Sequence, residues 1–246
     1  LGGHLHDIHF TLEKDDVSAM MNDLIDKVEN HPNIDIYMGT EIEDISGHIG
    51  KFTAKLSKEG QNAEVTGGAV IVATGAEQAQ TNEYLYGKSE KVITQAELEE
   101  KLYEGLYPAK GQNVVMIQCV GSRNEERPYC SRICCTMAVK NALAIKKKDP
   151  NANIFVLYRD VRTYGFRELY YKQAREAGVV FIRYTPEAKP QVVENNGLLV
   201  TLQSPDFPEP IEIEADTVVL STGITSSLEN NKRISDILKV PLNASG

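Results

Sequence analysis

The four cysteines of the chain fall within 17 consecutive positions, in Gln118-Cys119-Val120-Gly121-Ser122-Arg123 and Cys130-Ser131-Arg132-Ile133-Cys134-Cys135. Thiols gathered this tightly have three chemistries open to them: metal ligation, a redox dithiol or a disulfide pair. Their spacing, C-x10-C-x3-C-C, is neither the C-x2-C-x2-C run of ferredoxins nor the paired C-x2-C of structural zinc, so no general motif decides among them. An iron–sulfur cube needs four thiolates directed at one centre, and a strand end, a loop and the first turn of a helix can supply them. The helix dipole at Cys134 and Cys135 favours the thiolate form. Neighbouring helical side chains point about 100° apart, so Cys135 is the member that could face the core instead. Arg123, Arg127 and Arg132 interleave with the thiols, either to offset their charge or to stand in solvent or against a phosphate. The competing redox reading pairs Cys130 with Cys134 as a C-x3-C dithiol and leaves Cys119 and Cys135 unused.

The elements that must position these residues are legible in the hydrophobic pattern. Val17, Met20, Met21, Leu24, Ile25 and Val28 recur at helical spacing behind Asp15 and Asp16, which predicts an amphipathic helix over 16–30. A strand is expected from Ile34, Ile36 and Met38. Short alternating segments at 41–45, 51–57 and 63–66, broken by glycines, read as a meander. The apolar run Ala69 to Ala76 reads as a strand covered on both faces and ending in a Thr74-Gly75 turn. Thr94 with Glu97 resembles a capping box and predicts a helix over 95–104, before a loop around Pro108 and Gly111. A βαβαβ series follows: strand 114–118, helix 132–148, strand 154–158, helix 167–177 and strand 179–184. A hairpin flanks Asn195-Asn196-Gly197, a third strand runs over 211–215, and Thr217 to Gly223 ends the series on a second Thr-Gly turn. The fold class is therefore α/β: a partial Rossmann-like module with a β-meander, then a more complete second one with its own meander. The first copy lacks its front half, so an internal piece of a longer protein is expected.

Composition narrows the function classes. A net charge of -9 over 246 residues argues against a nucleic-acid surface, and 41% hydrophobic residues can fill a core. No apolar run reaches the roughly 20 residues of a membrane span, and the first residues lack the pattern of a signal peptide. A reducing cytoplasm is expected, where thiols stay free for metal.

Val72-Ala73-Thr74-Gly75 and Leu220-Ser221-Thr222-Gly223 resemble the Ala-Thr-Gly motif of the two-dinucleotide-binding-domain flavoproteins, the class of thioredoxin reductase. The two cysteine strings, with Tyr158-Arg159-Asp160-Val161-Arg162-Thr163-Tyr164-Gly165 and Ala174-Arg175-Glu176-Ala177-Gly178-Val179, are similar to the A-type subunits of heterodisulfide reductase and to their relatives in quinone-interacting oxidoreductase complexes. Leu1-Gly2-Gly3-His4-Leu5 resembles the stretch after the first βαβ of the FAD domain. This resemblance implies an electron-transferring oxidoreductase with FAD and a [4Fe-4S] cluster, working with other subunits of such a complex, with ferredoxin or with hydrogenase. It assigns Cys119, Cys130, Cys134 and Cys135 as cluster ligands, and Gly2, Gly3, Thr74, Gly75 and Gly223 as contacts of a partial FAD site. It divides the chain into 1–110, a partial FAD module, 111–224, the cysteine-bearing module, and 225–246, a return to the first. A disulfide oxidoreductase using Cys130 and Cys134, and a cofactor-free scaffold, are the alternatives.

The second module departs from nicotinamide-binding relatives. Where G-x-G-x-x-G belongs, the chain has Cys119-Val120-Gly121-Ser122-Arg123, which obstructs close approach of a pyrophosphate. A cluster in place of nicotinamide is the expectation, and Arg159 and Asp160, at the ribose position, read as solvated. His4, His6 and His9 are expected in solvent or near flavin rather than on a metal, and Tyr164, Tyr170 and Tyr171 in packing.

Overall fold

Asp16 starts the first helix, α1 (Val17–Glu29), by accepting the Ala19 N–H at 2.8 Å, the local bond that an N-terminal carboxylate makes. The structure, a computed structural model, describes residues 1–13, 15–107 and 111–246. After α1 come strands β1 (Glu41–His48), β2 (Lys51–Lys58), β3 (Gln61–Gly67), the short β4 (Glu77–Gln78) and β5 (Val92–Thr94). Then follow α2 (Gln95–Tyr103), β6 (Asn113–Ile117), α3 (Cys134–Lys148), β7 (Asn153–Tyr158), α4 (Glu168–Glu176) and β8 (Val180–Arg183). The chain ends through β9 (Gln191–Glu194), β10 (Leu198–Leu202), β11 (Ile211–Ala215), β12 (Thr217–Leu220), β13 (Ile224–Thr225) and α5 (Leu228–Leu238).

The chain splits into two compact units, one made of Leu1, Asn22–Glu77 and Thr225–Gly246, the other of Gly2–Met21 and Gln78–Ile224. The loop expected around Pro108, and the module boundary expected at 110, fall outside the described residues.

In the first unit, β1, β2 and β3 form the expected antiparallel meander. Gly47 has no substitute there: its φ is +100°, and a Cβ would lie 2.1 Å from the Lys51 carbonyl oxygen. Helix α5 meets β1 through Arg233, which bonds Glu41 at 2.8 Å and the Ile42 carbonyl at 3.0 Å. Two expected strands are absent. Residues 34–38 are irregular, and so is the apolar run 69–76, in which Ile71 is 90% exposed. A two-faced buried strand exists only through hydrogen-bonded neighbours, and no described strand pairs with this run.

The second unit is built on a five-stranded sheet of order β5-β12-β6-β7-β8, every neighbouring pair parallel. Alternation along β6 sends Val114 and Met116 to a core shared with α2 and α3, and Val115 and Ile117 to a core covered by the antiparallel sheet β9-β10-β11. Burial on both faces is why β6 and β12 read as unbroken apolar runs. Helix α2 carries the anticipated capping box: Glu97 N–H donates to Thr94 Oγ1 at 3.3 Å, and Thr94 N–H to Glu97 Oε2 at 2.6 Å. Strand β5, three buried residues, is too short to stand out in the sequence. Between the helices, Lys140 on α3 pairs with the buried Glu99 on α2 at 2.6 Å and donates to the Phe10 carbonyl at 2.8 Å. Glu99 also accepts the His9 N–H at 3.0 Å, so residues 9 and 10 are tied onto both helices.

Candidate functional site

Parallel neighbours end on the same side of a sheet, so the residues after β6, β7 and β12 meet at one rim, the usual place for ligands in an open α/β fold. Cys119 follows β6, Asp160 follows β7 and Gly223 follows β12. Gln118 and Ser221 extend the pairing by one step, with Gln118 N–H donating to the Leu157 carbonyl and Ser221 N–H to the Ile117 carbonyl, both at 2.9 Å. Tyr184 fixes the strand end by donating its hydroxyl to the Gln118 carbonyl at 2.5 Å.

Beyond that point the backbone is strained. Cys119, Arg123 and Arg132 all have φ near +60°, a conformation that costs a side-chain-bearing residue about 1 kcal/mol or more. Two arginines hold it in place. Arg127 donates to the carbonyls of Val120 and Thr222 at 3.0 and 2.8 Å, joining the loop after β6 to the loop after β12. Arg159 donates to the carbonyls of Ser122 and Arg123 at 3.0 and 2.8 Å, joining it to the end of β7. Arg127 is thus neither solvated nor free for a phosphate, and Arg159 is not the solvated strand end that the sequence suggests.

Cys119, Cys130, Cys134 and Cys135 line one small pocket together with Ser122, Arg123, Ser131, Arg132, Asp160 and Arg162. Cys135 faces this pocket with the other three. All four are free thiols, each partly buried. Gly223 packs on the same spot, where a Cβ would lie 2.4 Å from Ser131 Oγ and 3.4 Å from Cys134 Sγ. Ser131 answers by accepting the Ile224 N–H at 3.0 Å.

The thiols have distinct surroundings. Cys119 Sγ lies 3.9 Å from Arg123 Nη1, Cys130 Sγ accepts the Arg132 N–H at 3.4 Å, and Cys135 Sγ is 3.7 Å from the Asp160 carbonyl oxygen. Arg162 lines the pocket beside Cys130 and interacts with it electrostatically. Burial pushes the Cys134 thiol up to about 12, and the charges of the other three thiols add to that effect. Burial also raises Cys119, against the opposing pull of Arg123 and Arg159, and raises Cys135, against the Arg162 N–H. These surroundings keep the three as neutral thiols at pH 7. Asp160 takes the opposite course: burial disfavours its charge, but Arg123 and Arg162 outweigh that and hold the carboxyl below its ordinary value.

Among the described residues no three His, Cys, Asp or Glu side chains converge as the ligands of a metal ion. The four thiols line a pocket without forming a closed shell around one ion. Four thiols on one lining are the soft donors that a thiophilic group takes. Both amide atoms of Gln118 and the hydroxyl of Ser221 are buried without a hydrogen-bond partner.

The remaining sequence candidates lie elsewhere. Gly2 and Gly3 belong to the second unit, while Thr74 and Gly75 lie in the irregular run of the first, where Gly75 has φ +73° and open space about it. His9 stacks on Tyr103 with ring centroids 4.2 Å apart, and His4 lies 3.4 Å from Asp7. Tyr171 packs edge-on against Phe181 at 4.7 Å, and Tyr164 is exposed. Arg162 escaped notice in the sequence because its spacing from the cysteines carries no signal; only the fold brings it to them.

No protein-family model matches the chain. It is 39% identical over 199 residues to a CoB–CoM heterodisulfide reductase iron-sulfur subunit, of the A type, from Methanopyrus kandleri, covering 73% of this chain and 30% of that protein. It is also 39% identical over 181 residues to the A-type subunit of the H2/formate:CoB–CoM heterodisulfide, ferredoxin reductase of Methanococcus maripaludis, covering 67% of this chain and 28% of that one. The chain thus spans under a third of the length of these curated relatives. Among solved structures, thioredoxin reductase of T. acidophilum superposes on all of this chain and 72% of its own, with a TM-score of 0.58 and 16% identity. Thioredoxin reductase of Lactococcus lactis covers 96% of this chain and 69% of its own, with a TM-score of 0.56 and 14% identity. Both share the fold.

Proposed function

Since this chain is similar in sequence to the A-type subunits of heterodisulfide reductase, we propose that it supplies the thiolate ligands of a [4Fe-4S] cluster and part of an FAD site to an electron-transferring oxidoreductase. The observation that carries this reading is the single pocket lined by all four cysteines of the chain. Cys119, Cys130, Cys134 and Cys135 are the proposed ligands; a cluster held there supplies one-electron chemistry. Each thiol gives up its proton on ligation, so loading of the site releases protons and weakens as pH falls. Arg127 and Arg159 hold the ligand loop, in which Cys119 has its strained backbone.

Gly2, Gly3, Thr74, Gly75 and Gly223 are the proposed flavin contacts. The proposed partners are other subunits of a heterodisulfide reductase-type complex and a ferredoxin-class carrier, in a cytoplasmic setting. No helix among the described residues is long and apolar enough to cross a membrane. A Cys130/Cys134 dithiol would use two of the four thiols that line the pocket, whereas a cluster uses all four, which favours the cluster reading. The cluster reading also excludes an ordinary nicotinamide site, because the arginines of the pocket already engage the acidic residue at the ribose position.

The test is iron, sulfide and flavin analysis with electron paramagnetic resonance on the complete protein purified without oxygen. Changing any one of the four cysteines to Ser is expected to remove up to roughly four irons, one cluster, per chain while flavin is retained. Unchanged iron in Cys119→Ser and Cys134→Ser, or thiols that cycle with a disulfide in an iron-free sample, overturns the proposal. Tight stoichiometric NADH binding with a normal hydride rate overturns the exclusion of nicotinamide.

A further inference from the structure

Asp160 occupies the place where nicotinamide-binding domains of this architecture keep an acid for the ribose hydroxyls, just past the second strand of the βαβ series. Here its carboxylate is already engaged. One oxygen, Oδ2, lies 2.5 Å from Arg123 Nη2 and 3.1 Å from Arg162 Nη2. Arg123 also reaches Cys119 Sγ at 3.9 Å, and Arg162 lines the same pocket as Cys130, whose thiol its charge faces. The Asp160 carbonyl oxygen stands 3.7 Å from Cys135 Sγ. A single residue thus reaches Cys119 through the Arg123 guanidinium and Cys135 through its own backbone, and holds a second guanidinium, Arg162, on the pocket lining beside Cys130.

We infer that Asp160 is a positioning residue that sets the reduction potential of the thiol pocket by offsetting the two arginines that face Cys119 and Cys130. This rests on the reading of the pocket as a cluster site. One electron arriving from a reduced one-electron carrier adds one negative charge at the pocket and leaves the carrier oxidised by one; no bond to the protein forms or breaks. Positive charge beside the ligands stabilises the reduced state and raises the potential, and negative charge lowers it. Arg123 and Arg162 alone would place two positive charges against the thiolates. Asp160, sharing one oxygen between them, cancels one and fixes the direction in which both point. Its side chain is about half exposed, 51%, so its influence is screened by salt.

The experiment is a redox titration followed by electron paramagnetic resonance, with iron analysis, on the complete protein and its Asp160→Asn, Arg162→Gln and Arg162→Lys variants at low and high ionic strength. Asp160→Asn keeps the size of the side chain and one carbonyl acceptor. Its potential is expected to shift upward with iron content unchanged, and the shift to shrink at high salt. Arg162→Gln is expected to shift the potential downward, and Arg162→Lys to stay near the wild type. Full iron with the same potential in Asp160→Asn and the wild type overturns this inference and leaves the cluster reading intact. Iron lost in Asp160→Asn makes the residue one of assembly, which also overturns it. A wild type without iron at these cysteines overturns both.

Discussion

Cys134 sits at the first position of α3, so its thiol is the one most hemmed in by neighbours, and its protonation is coupled to the fold. Its pKa rises from an ordinary 9.0 to about 12, through burial first and then the charges of Cys119, Cys135 and Cys130. A group raised on folding stabilises the native state fully below its unfolded value and loses that contribution as pH rises through its folded value. Iron-free protein is therefore expected to lose melting temperature between pH 9 and 12, and Cys134→Ser to lose less over the same interval. Equal slopes in the two proteins would show that this thiol ionises without cost. At the residue scale the clustering of the cysteines and the capping pair Thr94 and Glu97 were legible in the sequence, because each advertises itself by type and spacing. Arg127, Arg159 and Arg162 were not legible in their roles. An arginine in a loop looks the same whether it faces water or clamps two carbonyls, and only the folded chain distinguishes them.

At the element scale, α2 and α3 are joined by the Glu99–Lys140 pair at 2.6 Å, with side chains 1% and 9% exposed. Burying two charges is costly, and the pair gains little over a hydrophobic replacement, but breaking it strands a charge. Lys140→Ala is expected to destabilise by about 3–5 kcal/mol in urea unfolding, for that reason. The double change Lys140→Met with Glu99→Leu is expected to recover most of the loss, since neither charge remains. A helix that positions Cys134 and Cys135 is thereby fixed to its neighbour far from the thiols. The amphipathic pattern showed α1, α2, α3 and α4 within a residue or two at most ends, and alternation showed the β1–β3 and β9–β11 strands. It failed at 34–38 and 69–76, where apolar residues promise a strand but no described strand pairs with them. Local pattern states what a segment could bury, and pairing decides whether it does.

At the scale of the whole molecule, all ten residues that line the thiol pocket belong to one unit, Gly2–Met21 with Gln78–Ile224. A group bound to the folded pocket stabilises that unit by mass action. Stripping iron with a chelator under anaerobic conditions is expected to speed amide exchange at 118–135, 159–163 and 221–223, while the β1–β3 meander exchanges as before. Slowed or faster exchange confined to the meander instead would place the bound group elsewhere. Charge has the same uneven distribution: the chain carries a net -9, yet Arg123, Arg132 and Arg162 line the pocket with a single acid, Asp160. An average over the molecule conceals the site, where the local sign is what a thiolate group meets.

Periodicity, glycine turns and residue type are local properties, so the order of amino acids sufficed for the fold class, the parallel βαβαβ order and the commitment of every thiol to one stretch. Folding had to add that Cys135 faces the pocket with Cys119, Cys130 and Cys134, that Gly223 makes room for Ser131 and Cys134, and that Asp160 is held between two arginines. The physical reason is distance along the chain. Cys119, Asp160 and Gly223 are separated by tens of residues, and only the parallel pairing of β12, β6 and β7 brings their strand ends to the same rim.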